Sequence, residues 1–103
     1  METKTQERVR SFLETHDLET EPAYRVLDLL SEAGEVAKEV NTSTEYGTTP
    51  TDVSVARDEL GDTLFALLAL CVELEVDAEA ALETSLAKYE KRLEERESAG
   101  SGA

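Results

Sequence analysis

The sequence predicts an all-α fold, in which four helices form a bundle that is completed by homo-oligomerisation. Helix-forming residues dominate, and no stretch sustains the alternation of β-branched and polar residues that is typical of strands. Residues 64–72 contain no polar residue at all. A helix that is apolar on every side must be buried on every side, and four helices in 103 residues cannot easily surround one of their own. We therefore predict a homodimer or homotetramer with this helix near the centre of the shared bundle.

The first half of the chain predicts two helices. The first runs from about Thr3 to His16, and residues 17–21 form a polar connector. Pro22 suits the first turn of the second helix, which we expect to continue to about Val40. The apolar face of the first helix consists of Val9, Phe12 and Leu13.

The second half predicts a loop and two further helices. Residues 41–50 are rich in Thr and contain Gly47 and Pro50, which favours a loop. The third helix is expected to begin near Thr51 or Asp52 and to run to about Glu75. Asp77 can cap a fourth helix that frays by about Glu97. The apolar residues of that helix are Ala81, Leu82, Leu86, Tyr89 and Leu93. We predict one domain over residues 1–97 and a flexible tail over residues 98–103.

The strong negative charge excludes several classes of partner. Asp and Glu number 24 against 10 Lys and Arg, so the formal net charge is −14. This disfavours direct binding to nucleic acid or to an anionic membrane, since both require a basic surface. The N-terminus lacks the apolar stretch of a signal peptide, and no apolar run approaches the roughly 20 residues of a membrane span. The single Cys cannot form an internal disulfide. We therefore expect a cytoplasmic protein.

The acidity itself has three interpretations. A disordered acidic chain is disfavoured, because the apolar residues are periodic. A halophilic surface is favoured, because a high net charge keeps a protein soluble when salt screens repulsion. A third interpretation concerns only a few of the acids, which would be metal ligands. The second and third interpretations are compatible.

The second helix separates apolar and acidic residues. Its apolar stripe consists of Ala23, Val26, Leu27, Leu30, Gly34 and Ala37. Glu32, Glu35 and Glu39 cluster on the opposite side. Taken alone, this is the pattern of an ordinary solvated face.

Two short segments place carboxylates three residues apart, and hence on one helical face. They are residues 32–35 and 59–62, and each contains a Gly, which costs about 1 kcal/mol inside a helix relative to Ala. We expect Gly34 and Gly61 to lie where another backbone or a ligand approaches closely. Glu59 and Asp62 lie on the same face of the third helix as Ala66 and Ala69. They therefore stand at the edge of a face that we expect to be buried further along the helix. Four carboxylates from two helices suit Mg²⁺ or Mn²⁺ better than zinc.

The same segments carry a family resemblance. Residues 29–40 (LLSEAGEVAKEV) and 58–92 (DELGDTLFALLALCVELEVDAEAALETSLAKYEKR) resemble the MazG-type nucleotide pyrophosphohydrolases of the all-α NTP pyrophosphatase superfamily. The resemblance extends from about Val9 to Leu93 and implies a MazG-like helical bundle.

The family motif is E-E-x-x-E, a spacer, then E-x-x-D. Glu32 and Glu35 match its second and third acids, and 23 residues separate Glu35 from the final pair, Glu59 and Asp62. The chain departs from the motif at Ser31, where the first acid would stand. It also has no Trp to stack on a base, which leaves base specificity open.

The resemblance implies an enzyme that hydrolyses a nucleoside triphosphate to the monophosphate and pyrophosphate. Glu32, Glu35, Glu59 and Asp62 would hold Mg²⁺, or Mn²⁺, and one of them would act as general base. The clearing of non-standard nucleotides is one role that this chemistry serves.

Three cations are candidates for binding the substrate phosphates. Lys88 and Arg92 belong to a basic stretch that resembles the phosphate-contacting segment of the family. Lys38, one turn after Glu35, either pairs with a carboxylate or reaches a phosphate.

Two alternatives to the nucleoside triphosphate pyrophosphohydrolase stay open. One is a related enzyme such as the phosphoribosyl-ATP type, and the other is a non-catalytic helical oligomer that binds a protein partner.

Overall fold

Four α-helices make up most of the described chain. The computed structural model describes the backbone of residues 2–101 and the side chains of residues 2–97, and no strand occurs in that range. The helices are α1 (Lys4–Thr15), α2 (Pro22–Ser43), α3 (Arg57–Glu73) and α4 (Ala78–Ser101). A short 3₁₀ turn, Pro50–Asp52, precedes α3. The all-α prediction is confirmed, and the association of several copies stays a prediction.

Local sequence signals explain three of the helix starts. The Thr3 hydroxyl accepts a hydrogen bond from the Gln6 backbone N–H at the start of α1. Pro22 occupies the first turn of α2. As predicted, Asp77 caps α4: its carboxylate accepts hydrogen bonds from the N–H groups of Glu79 and Ala80.

The predicted boundaries around the central loop were wrong. α2 continues to Ser43, three residues beyond Val40, and α3 starts only at Arg57. The start of α3 is delayed because Pro50–Asp52 forms a separate turn and Ala56 is extended. Gly47, at φ +91°, takes the positive φ that this reversal needs.

The end of the chain also differs. α4 continues to Ser101, past the predicted end near Glu97, and residues 102 and 103 of the predicted tail lie outside the described residues. None of the described helices combines the length and the hydropathy that crossing a lipid bilayer requires.

α2 and α3 form an antiparallel pair. Near the start of α2, Arg25 lies 3.6 Å from the carboxylate of Glu73 at the end of α3. Near the end of α2, the Glu39 carboxylate accepts a hydrogen bond of 3.1 Å from the Ala56 N–H, just before α3. The middle of α2 therefore lies beside the first turns of α3.

A small apolar core joins α1 to α3. Among the described residues its buried members are Leu13, Ala69 and Val72, and Val9 and Phe65 pack against them. α2 packs along α3, whereas α4 makes only sparse contacts with the other helices. A single chain does not bury α3 on every side, since Leu60, Leu64 and Leu67 are exposed, and the burial expected in a bundle shared between copies stays a prediction.

The start of α4 is held by α1. The buried side-chain amide of Gln6 donates to the Val76 carbonyl at 2.7 Å and accepts from the Ala78 N–H at 2.8 Å. The Val76 carbonyl belongs to the α3–α4 connection and the Ala78 N–H to the first residue of α4, so one side chain satisfies an acceptor and a donor there.

α2 turns its acidic side, not its apolar stripe, towards α3. Arg25 is buried, and Glu32 and Glu39 are half-buried, whereas Leu27 and Leu30 are exposed. The pattern of a solvated face, which the helix shows when taken alone, therefore holds for the exposed Glu35 but not for the half-buried Glu32 and Glu39. The physical reason is that Arg25 and Glu39 bond groups at the two ends of α3, which orients this face inwards.

Candidate functional site

Three carboxylates from two helices meet where α2 crosses the first turns of α3. Glu32, Glu59 and Asp62 each offer an oxygen atom, and these oxygens lie within 4.8 Å of one another. Glu59 and Asp62 share a face of α3 because they are three residues apart, and the antiparallel pairing sets Glu32 opposite them. Glu32 and Glu59 are half-buried, whereas Asp62 is exposed.

The electrostatics of this cluster are repulsive. Partial burial raises the pKa of Glu59, and the neighbouring charges of Glu39, Asp58, Asp62 and Glu35 raise it further. No Lys or Arg among the described side chains forms an ion pair with the three clustered carboxylates.

These donors suit a hard divalent cation. Carboxylate oxygens are the ligands that Mg²⁺ and Mn²⁺ prefer, and a cation held between them would relieve the repulsion that acts on Glu59. The donor set thus fits the metal that the sequence predicts.

Glu35 lies beside this group rather than within it. Its side chain is exposed and is not one of the three that converge, although its charge acts on Glu59. Together with Lys38 and Glu39 it lines a shallow cavity of about 350 Å³. Lys38 is therefore a cation of the same chain that shares a cavity with Glu35 and Glu39.

The family model of the MazG nucleotide pyrophosphohydrolase domain matches residues 21–96, which is most of the chain. The chain belongs to this family. Searches of curated proteins and of solved structures gave no significant match. The MazG domain of this protein contains α2 and α3 in full and most of α4, so the three converging carboxylates lie inside it.

The two predicted phosphate-binding cations of the MazG domain stand apart from the acids. Lys88 and Arg92 lie on α4, and both approach the ring of Tyr89, at 5.2 Å and 5.9 Å from its centre. α4 makes only sparse contacts with the other helices, and no ion pair among the described side chains joins these cations to the acidic cluster. Within one chain, the structure therefore does not pair these cations with the carboxylates.

The two helical glycines are not sites of close approach within the chain. A Cβ built on Gly34 or Gly61 meets no atom within 4 Å beyond its own helix backbone and chain neighbours. The predicted close approach of another backbone does not occur within this chain, and the approach of a ligand stays a prediction. Both positions lie on exposed parts of their helices.

Sequence reasoning missed a cavity between α1 and α3 that adjoins the acidic segment. It has a volume of about 350 Å³, and its lining includes Arg8, Phe12, Gly61 and Phe65. The rings of Phe12 and Phe65 meet edge to face with 5.8 Å between their centres. Gly61 belongs to the acidic segment 59–62, but Glu32, Glu59 and Asp62 are not among the residues that line this cavity.

Sequence reasoning also missed Arg25. The residue is 8% exposed, and its guanidinium donates to the Leu18 carbonyl and lies 3.6 Å from the Glu73 carboxylate. Glu73 in turn accepts from the Thr20 N–H. A lone Arg among apolar residues early in the second helix was the available signal, but its partners are distant in sequence.

Proposed function

We propose that this MazG protein is an Mg²⁺-dependent nucleoside triphosphate pyrophosphohydrolase, which converts a nucleoside triphosphate and water to the monophosphate and pyrophosphate. The observation that carries the proposal is the convergence of Glu32, Glu59 and Asp62 within 4.8 Å. In a MazG domain, such a set of oxygen donors supports metal-assisted hydrolysis of a phosphoanhydride.

Four carboxylates of the chain would bind the metal and accept a proton. Glu32, Glu59 and Asp62 would hold Mg²⁺, with Mn²⁺ as a substitute, and Glu35 would complete the set from its exposed side. Bound there, the metal would neutralise phosphate charge and acidify a water. One of the four carboxylates would accept the proton of the attacking water.

The remaining features support a nucleotide as substrate. A chain with a net charge of −14 repels a polyphosphate unless cations lie at the contact, and Lys38 stands beside Glu35 and Glu39. The aromatic cavity next to Gly61 suits a base, since a planar ring can pack against Phe12 and Phe65. A role in clearing non-standard nucleotides accords with this site and belongs to the same proposal.

The test is a substrate panel of standard, deoxy and damaged nucleoside triphosphates together with phosphoribosyl-ATP. The protein is assayed at molar NaCl with Mg²⁺, with Mn²⁺ and with EDTA, and the products are separated by chromatography. We expect monophosphate and pyrophosphate with either metal and none with EDTA. Turnover of phosphoribosyl-ATP alone would replace the proposed substrate class, and no turnover of any compound would overturn the proposal.

Paired variants test the residues. The double variant Glu59→Gln, Asp62→Asn should have no activity and should bind Mn²⁺ more weakly, as measured by calorimetry. Its circular dichroism spectrum should remain helical, because the substitutions only remove like charges. The matched control is Glu7→Gln with Glu14→Gln, which removes two negative charges from exposed positions of α1. Full activity in the first variant, or equal loss in both, would show that Glu59 and Asp62 are not the ligands.

A further inference from the structure

The inner side of α2 carries charged residues at regular intervals. Arg25, Glu32 and Glu39 are spaced seven residues apart, which is almost two full turns, so they lie on one line of the helix. Leu29 and Val36 stand between them and are half-buried. Arg25 and Glu39 contact groups at the two ends of α3, and Glu32 meets the carboxylates of its first turns. Glu32 therefore stands midway between two polar contacts, about 10.5 Å along the helix from each.

The apolar contacts between α2 and α3 define the register of the two helices only weakly. The face of α3 that begins with Glu59 and Asp62 continues with Ala66 and Ala69, which are both buried. Alanine side chains are too short to interlock deeply with a facing helix, so they offer little resistance to sliding. The exposed leucines of α2 cannot add to that resistance. The register must therefore be specified mainly by polar contacts.

The acidic cluster tolerates little sliding of α2 along α3. The oxygens of its three carboxylates lie within 4.8 Å of one another. A slip of α2 by one turn would move Glu32 by about 5.4 Å along α3, which exceeds that separation. Glu32 would then leave Glu59 and Asp62, and only two carboxylates of the cluster would remain together.

Arg25 and Glu73 are placed unfavourably for the helices that carry them. Arg25 lies near the start of α2, where the helix dipole favours a negative charge, and Glu73 is the last residue of α3, where the dipole favours a positive one. Across the antiparallel pair, their charged groups lie 3.6 Å apart, and the two side chains are only 9% and 12% exposed. Their placement is explained by the contact between the helices rather than by the stability of either helix.

The same two side chains also hold the connector between α1 and α2. The Arg25 guanidinium donates to the Leu18 carbonyl, and the Glu73 carboxylate accepts a hydrogen bond of 3.3 Å from the Thr20 N–H. The end of α3, the connector and the start of α2 therefore meet at one ion pair. α2 cannot slide along α3 without separating this pair.

We propose that the ion pair of Arg25 and Glu73 fixes the register of α2 on α3. This register holds Glu32 beside the two carboxylates of α3, so the pair acts on a bound cation through Glu32 and consists of positioning residues. A buried ion pair is often no more stabilising than apolar residues of the same size, and setting a register is a better-supported role for it. The inference rests on the proposed binding of a divalent cation by the cluster.

Replacement of both residues by Met tests this role. Arg25→Met with Glu73→Met keeps the net charge and much of the side-chain volume. The metal-free protein is titrated with Mn²⁺ by calorimetry at molar NaCl, below the melting temperature of every variant. We expect the Mn²⁺ affinity to fall by about tenfold to a hundredfold, the usual effect of losing a residue that orients a metal ligand. The melting temperature should stay close to that of the wild type.

The chain offers a matched control in a second ion pair. Arg10 lies 2.8 Å from Glu2, and Glu2→Met with Arg10→Met removes one charge of each sign from the N-terminal part of the chain. Neither residue contacts the α2–α3 pair through a listed hydrogen bond or ion pair of the described side chains. This variant should therefore bind Mn²⁺ as tightly as the wild type.

Exchange of the two charges tests whether the pair itself is required. Arg25→Glu alone brings two carboxylates together and should weaken Mn²⁺ binding. Its combination with Glu73→Arg restores an ion pair between the helices and should recover most of the affinity. The Debye length is about 3 Å at molar salt, so neither charge acts directly on a cation that lies about 10 Å away. An exchanged variant that binds as weakly as Arg25→Glu would overturn the proposal.

The outcomes separate this inference from the proposed function. Active wild-type protein that binds Mn²⁺ no more tightly than the double Met variant would overturn the positioning role and leave the proposed function standing. An equal loss of affinity in the control, or a double Met variant without helical circular dichroism, would also overturn it, because the pair would then hold the fold and not the register. Wild-type protein that binds no Mn²⁺ would overturn the proposed metal site, and this inference with it.

Discussion

Glu59 stands among the carboxylates of Glu35, Glu39, Asp58 and Asp62. Partial burial raises its pKa, and the four neighbouring charges raise it further. The sequence places Glu59 and Asp62 on one helical face, but the approach of Glu35 and Glu39 depends on the pairing of α2 with α3. In the absence of a cation, this repulsion raises the free energy of the folded protein when Glu59 is ionised.

At this scale we predict that Glu59→Gln raises the melting temperature of the metal-free protein at neutral pH. Because the pKa of Glu59 lies above its usual value of 4.5, the folded state binds the proton more tightly than the unfolded chain does. The contribution of Glu59 to stability therefore improves as the pH falls towards that raised pKa, and the advantage of the variant should shrink on acidification.

Thermal melts in EDTA at several pH values between about 7.5 and 5 follow this difference. Glu7→Gln on α1 is the control, since it removes an equal charge at an exposed position away from the cluster. A melting temperature that falls in Glu59→Gln at every pH would contradict the electrostatic account.

At the scale of the elements, the start of α3 is set from α2. Ala56, the residue before α3, makes no side-chain cap of its own, and its N–H donates instead to the Glu39 carboxylate. The sequence predicts that a helix with Glu59 and Asp62 exists, because its periodicity is local. The capping residue lies 17 positions earlier, so the start of the helix depends on tertiary structure.

We predict that Glu39→Ala destabilises the protein by about 1 kcal/mol, the usual cost of a lost helix cap, and lowers the melting temperature by roughly 5 °C. Hydrogen exchange should quicken at the Ala56 amide. Glu39→Gln keeps an oxygen acceptor and should retain much of the protection. Unchanged exchange at Ala56 in Glu39→Ala would show that this hydrogen bond does not hold the helix start.

α2 shows why the packing face of a helix can be misjudged from its wheel. Its apolar stripe with Leu27 and Leu30 is exposed, and the face with Arg25 and Glu39 contacts α3. An apolar stripe predicts that a helix face is buried, but it does not identify the element or molecule that packs against that face. In this chain, Arg25 and Glu39 bond groups at the two ends of α3, and the stripe stays exposed.

The whole molecule combines a net charge of −14 with a small core and a large apolar surface. Self-repulsion opposes both compactness and association. The Debye length falls from about 10 Å at 0.1 M salt to about 3 Å at 1 M, so salt removes most of that repulsion.

We therefore predict that the melting temperature and the assembled fraction both rise steeply between about 0.1 M and 2 M NaCl, as we would expect if the surface is adapted to high salt. Scanning fluorimetry and sedimentation measure the two quantities. The control is the same titration near pH 4.3, where the net charge vanishes and the salt effect should be much smaller. Equal stability at low and high salt at neutral pH would contradict this prediction.

The sequence by itself determined the helical class, most helix positions and the paired acids at 32–35 and 59–62, because helix periodicity and i, i+3 spacing are properties of neighbouring residues. Only the tertiary structure decided that Glu32 joins Glu59 and Asp62 while Glu35 stays at the edge. Only the tertiary structure also decided that Leu27 and Leu30 stay exposed and that α4 makes only sparse contacts with the other helices. The physical reason is that these outcomes depend on contacts between residues far apart in sequence, such as Arg25 with Glu73 and Glu39 with Ala56, which orient one helix on another.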